Sequence, residues 1–141
     1  MWSYSFAERL ESWNHLRHSV VSIDIDHALI NINRWWFNAP WSAYHLHWDD
    51  QVEWPDPWQL LSDNIYCPLA RGLGILYTIT LLDRPDLQDA CMIEYLGDNL
   101  VLVDNEKYIL NWDPDQIVNI SLGPEKPRRQ ISQIELKQKF C

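Results

Sequence analysis

Apolar positions divide the chain into a helical half and a strand-rich half. Phe6, Leu10 and Trp13 recur at helical spacing, Ser5 stands where an N-cap belongs and Glu8 at the capping-box position, which predicts a helix over 5–18. A β-branched link over 20–25 follows, and Asp24 or Asp26 can cap a second helix. In that helix Leu29, Ile32 and Trp36 share one face, and it ends near Asn38, ahead of Pro40. Residues 41–54 have no period. They are aromatic (Trp41, Tyr44, Trp48, Trp54), with His45, His47, Asp49 and Asp50 between. Asp56-Pro57 opens a short helix through Leu61, with the aspartate as cap and the proline in the first turn. A third substantial helix is predicted over 67–82. Pro68 fits its first turn, and Leu69, Leu73, Leu76 and Ile79 or Thr80 run along one side. Gly72 and Gly74 would each cost that helix about 1 kcal/mol against alanine, so they predict close approach of another backbone.

Beyond Asp83-Arg84-Pro85-Asp86 the period changes to two. The stretches 90–96, 100–104 and 107–112 read as an antiparallel meander, with tight turns at Gly97-Asp98 and Asn105-Glu106. A further strand is a candidate over 117–122. Gly123-Pro124 and Pro127 then begin a polar, basic tail. The predicted class is α+β: N-terminal helices and a central Cys67-led helix packed on a small antiparallel sheet. A single domain is expected over 1–122 and a C-terminal tail over 123–141.

The chain has 141 residues, about one domain's worth, and at 47% hydrophobic it is apolar enough to fold. Its net charge of -9 disfavours a nucleic-acid surface, because neutralising phosphates takes clustered Lys and Arg. The basic residues Lys126, Arg128, Arg129, Lys137 and Lys139 crowd the C-terminal end, so the body is more acidic than the total suggests. Glu8, Arg9, Glu11 and Arg17 break up the N-terminus, which does not look like a signal peptide, and no apolar run approaches the roughly 18 residues of a membrane span. A cytoplasmic or virion location is expected. Cys67, Cys91 and Cys141 are an odd set without metal spacing, read as free thiols in a reducing compartment.

The 9 tryptophans are the compositional outlier. A tryptophan-rich core accounts for them as well as a binding surface does, since this residue is enriched at interface hot spots. Trp41, Trp48, Trp54 and Trp58, with the basic Lys126, Arg128 and Arg129, are the candidate binding residues. His45 and His47 share a face of an extended segment with carboxylates behind them. A polar aromatic loop explains them better than a metal site does. Aromatic walls between the 41–54 loop and the helix would also suit a small ligand.

Several segments share an order with a known group. Ile32-Asn33-Arg34-Trp35-Trp36-Phe37 looks like a helix preceding an active site. Trp54-Pro55-Asp56-Pro57-Trp58-Gln59-Leu60-Leu61 is similar to a W-x-x-P-x-x-x-L approach to a nucleophile, and Cys67 follows at a helix start. The run from Asp89-Ala90-Cys91-Met92 to Leu100-Val101-Leu102-Val103-Asp104-Asn105 resembles an H-A-V-L…L-V-L-D-N hairpin. Together these resemble the transglutaminase-like, papain-type fold, in particular the bacterial transglutaminase-like cysteine proteinases, over about residues 29–116. The resemblance implies Cys67 at the nucleophile's place, Asp89 at the histidine's and Asp104 at the acid's. Tyr66 and Pro68 flank the cysteine where that group usually has acids, and no histidine follows His47.

That departure bears on the chemistry. A cysteine attacks as a thiolate, which a helix N-terminus favours but which an imidazolium normally completes while also protonating the leaving group. An aspartate in that place repels a thiolate and offers no proton near neutral pH. The function expected is therefore a non-catalytic scaffold. It would bind other protein chains, without cofactor, nucleic acid or membrane, in a homo- or hetero-oligomeric assembly. Small acidic domains of this kind suit virus particles, and a bacteriophage neck, tail or baseplate component is the setting expected. The alternative is a cysteine hydrolase or acyltransferase acting on peptide or amide bonds, with Cys67 as nucleophile, His45 or His47 as base and Asp104 or Asn105 as orienter.

Overall fold

Five α-helices and a four-stranded antiparallel sheet are laid down in sequence order in the computed structural model, which describes residues 2–43, 45–118, 122–123 and 125–138. Local rules explain where the helices begin. Helix α1 (Phe6–Val20) starts at Ser5, whose hydroxyl accepts from the Glu8 N–H. Helix α2 (Ile25–Phe37) starts at Asp24, whose carboxylate accepts from the His27 N–H, and stops at Asn38. Asp26, the other candidate cap, instead accepts a hydrogen bond from the Tyr108 hydroxyl. The irregular loop contains a short 3-10 segment, Trp48–Glu53. Helix α3 (Pro57–Asp63) is capped by Asp56 and stopped by Asn64 in the left-handed region. Helix α4 (Pro68–Leu82) begins at Cys67 and ends at Asp83, also left-handed.

Strands β1 (Cys91–Tyr95), β2 (Asp98–Val103) and β3 (Tyr108–Leu110) form the expected meander. The first turn is Leu96-Gly97, one residue earlier than the sequence pattern places it. Asp98 pairs with Tyr95, and both turn residues have positive φ, as a two-residue hairpin requires. The second turn has Asp104, Asn105 and Glu106 in succession at φ 57, 54 and 67.

The predicted tail is a correction. Residues 129–132 form strand β4 (Arg129–Ser132), which pairs with β1 and gives the order β3-β2-β1-β4. Helix α5 (Gln133–Lys137) follows behind a capping box of Ser132 and Glu135. Ile131 and Leu136 are buried, so the sheet and the core extend past 122. Basic residues hide that apolar pair in the sequence. In the candidate strand over 117–122, Val118 makes an isolated bridge with Tyr108, and residues 119–121 lie outside the described residues. Tyr44, Lys139 and Cys141 also lie outside them.

Helix α4 is buried nearly all round, packed by α2, α3, α5 and the sheet, and Trp13 of α1 reaches its Thr78. A Cβ on Gly74 would stand 2.5 Å from the Trp36 ring. One on Gly72 would stand 2.7 Å from Met92 Sδ and 3.1 Å from Asn111 Nδ2. The close neighbours of these glycines are thus chiefly side chains, not the backbone the sequence suggested. On the sheet's other face Ile93, Tyr95, Leu100, Leu102 and Ile109 form a second apolar cluster. No helix among the described residues is long and apolar enough to cross a membrane.

Candidate functional site

The three residues that the resemblance groups together do not converge. Cys67 is the N-cap of α4 and is 1% exposed. Asp89 lies at the other end of that helix. Its neighbour Gln88 donates to the Arg84 carbonyl at 2.8 Å, and Asp89 and Asp104 line one cleft with Ile25, Pro85 and Asp86. Fifteen helical residues at 1.5 Å rise separate the two ends by about 22 Å. Asp89 and Asp104 do meet, with the Asp89 carboxylate accepting from the Asp104 N–H at 2.9 Å and the Asn105 N–H at 2.7 Å. This holds a left-handed turn and explains the aspartate without catalysis. No imidazole among the described residues hydrogen-bonds the Cys67 sulfur. Burial, followed by the charges of Asp89 and Glu106, pushes the Cys91 thiol up.

What occupies Cys67's end of α4 is an amide network. Asn111, at φ 73, donates from Nδ2 to the Pro68 carbonyl at 3.0 Å and the Asn99 carbonyl at 2.7 Å. Its own N–H donates to Asn33 Oδ1 at 3.0 Å, and its Oδ1 accepts from Arg71 Nε at 2.6 Å. The Arg71 guanidinium lies 3.8 Å over the Phe37 ring, and burial lowers its pKa. Trp48 Nε1 donates to Asn99 Oδ1 at 2.8 Å, tying the irregular loop to the sheet. These groups satisfy one another and weld α2, α4 and β2 together, which is a structural role. Nothing in the spacing of Asn33, Asn99 and Asn111 marks them in the sequence.

The tryptophans divide between core and surface. Trp2, Trp13, Trp36, Trp48 and Trp54 are buried. Trp48 and Trp54, taken above as binding residues, are therefore core residues. Their indole N–H groups are satisfied, that of Trp54 by the His47 carbonyl at 2.9 Å. Trp41 and Trp58 are 71% and 41% exposed. Of the basic candidates, Lys126 and Arg128 are exposed at the approach to β4, and Arg129 pairs with Asp49.

Between the 45–55 loop and α3 runs an open groove of about 670 Å³. Leu46, Trp54 and Leu60 form its buried floor, while Val52 (87% exposed) and Ile65 (46%) stand on its rim. His45, His47, Asp50, Glu53, Asp56 and Asp63 supply its polar lining. Asp56 is occupied as the cap of α3, and Asp63 accepts from Gln59 Nε2 at 2.6 Å. No Lys or Arg among the described residues forms an ion pair with any of these four carboxylates. No group of three or more His, Cys, Asp or Glu among the described residues is arranged to hold a metal ion.

Compared with known proteins, the chain matches no family model, no curated protein and no solved structure.

Proposed function

We propose that this chain is a non-catalytic interaction domain serving as a structural component of a larger protein assembly such as a virion. One observation carries the reading: Cys67 is 1% exposed, and the acids assigned to it stand at the far end of α4. A cysteine hydrolase needs a thiolate open to substrate and a donor for the leaving group within hydrogen-bond reach. Cys67 has neither. The exposed Trp41 and Trp58 and the open groove instead favour contact with another protein.

The test uses a Cys91→Ser, Cys141→Ser double variant, in which Cys67 is the only thiol. Alkylation is followed from pH 5 to 9 in the folded state and in denaturant. The expected result is sluggish labelling when folded, complete labelling when unfolded, and no cleavage of peptide or amide substrates. Rapid labelling of the folded protein below pH 8, with hydrolysis abolished by Cys67→Ala, overturns the proposal.

A further inference from the structure

We propose that the groove between the 45–55 loop and α3 docks a basic, partly apolar polypeptide segment of a partner protein. This inference rests on reading the domain as an interaction module and names the chemistry of what it binds.

The groove has the volume of sites that take several side chains. Its floor is apolar, and Val52 and Ile65 stand exposed on its rim. A partner's apolar side chains can cover that surface.

Charge decides which partner. Four carboxylates outside the groove are ion-paired, Asp49 with Arg129, Asp86 with Arg84, Asp115 with Arg34 and Glu94 with Arg128. Around the groove, Asp50, Glu53, Asp56 and Asp63 have no such counter-charge among the described residues. Like charges lining a concave surface sum to a negative potential that gathers cations and repels nucleic acid and anionic lipid. The carboxylates do not converge as metal ligands do, so a bare divalent ion gains little. Lysine and arginine reach separated carboxylates on long flexible stems, and those stems lie well against apolar floors. An extended segment alternating basic and apolar residues meets both features at once.

The experiment titrates a fluorescent peptide alternating lysine with leucine into the full chain, following anisotropy. Control peptides carry glutamate for lysine, or serine for leucine. The expected result is saturable binding of the first peptide and none of the glutamate version. Glu53→Gln with Asp63→Asn weakens binding about fivefold to tenfold, as removal of two ion pairs should. Glu11→Gln with Asp98→Asn, an equal change of charge elsewhere, leaves it within about twofold. Val52→Ser, which touches no core contact, weakens it as well. Equal loss in the two charge-matched variants, equal binding of the serine peptide, or displacement by micromolar divalent ion would each overturn the proposal. Failure here with an unreactive Cys67 rejects this partner and leaves the interaction domain standing. A reactive Cys67 rejects the domain's assignment whatever the peptides do.

Discussion

The indole of Trp48 and the amide of Asn99 form a buried bond of 2.8 Å that joins the 3-10 segment to strand β2. The loop carrying Trp48 also supplies one wall of the groove, and it has little regular hydrogen bonding of its own. Trp48→Phe keeps an aromatic ring and removes the donor. Asn99 Oδ1 is then left buried without a partner, which costs about 1–3 kcal/mol. Urea unfolding should show a lower midpoint with an unchanged slope. A midpoint equal to wild type would mean that the bond contributes nothing.

Thr78 is the polar hub of the helical side. Its hydroxyl accepts from Trp13 Nε1 and Trp36 Nε1, each at 2.9 Å, and donates to the Gly74 carbonyl at 2.7 Å. Thr78→Val keeps the shape and strands two buried N–H groups, for an expected loss of about 2–4 kcal/mol. Thr78→Ser keeps the hydroxyl and should lose much less. Calorimetric melting of the pair separates hydrogen bonding from packing, and equal losses would assign the effect to the methyl group.

The features legible in the sequence were those set by local chemistry. Ser5 and Asp56 mark helix starts because caps act over three or four residues, and Pro68 marks another because its fixed φ suits a first turn. The meander shows because strands of period two are joined by short turns. Long-range pairing was not legible. β4 has charged Arg129 and polar Gln130 beside one buried apolar residue, Ile131, and its partner strand ends more than thirty residues earlier. Ser132-x-x-Glu135 was the readable signal of order there. Nor does a loop without a period reveal which tryptophans turn inward. Trp48 and Trp54 are buried while Trp41 and Trp58 are exposed. The Cys67 helix start was visible, but the end of α4 at which β1 begins was not. A short turn through Pro85–Leu87 sets that, and it carries Asp89 away from the thiol.

Gly74 sets two effects against each other. Alanine improves helix propensity by about 1 kcal/mol. Its Cβ would lie 2.5 Å from a Trp36 ring that is itself fully buried and pinned to Thr78, so the ring has nowhere to go. Overpacking of this kind costs about 1–3 kcal/mol or more, and Gly74→Ala should be destabilised on balance. Chemical denaturation reads the sign directly, and a stabilised variant would show that the ring moves freely.

Asp49 and Arg129 link the loop to β4. The guanidinium, first by its hydrogen bond and then by its charge, holds the Asp49 carboxyl below the usual carboxylate range. A lowered folded value means that the contribution is present above the ordinary aspartate pKa, near 3.9, and fades as pH falls through the lowered one. Arg129→Gln should therefore be less stable than wild type near neutral pH, by a gap that closes on acidification below about pH 4. The gap should also shrink in high salt, because the pair is at the surface. A gap independent of pH would assign the effect of Arg129 to packing alone.

Asp89→His puts an imidazole where the resemblance expects the catalytic base. The present side chain accepts two backbone N–H bonds from a turn whose residues Asp104, Asn105 and Glu106 all have positive φ. Such conformations are costly unless something holds them, and a carboxylate meeting two N–H groups does that. Histidine cannot accept both bonds, so the exposed turn should loosen at a cost of about 1 kcal/mol. No activity should appear, because the new imidazole stands about a helix length, roughly 22 Å, from a buried Cys67 thiol. Melting temperature and amidase assays on one preparation check both halves. Cys67-dependent hydrolysis gained by Asp89→His would place the two side chains within reach of each other and overturn their assignment to opposite ends of α4.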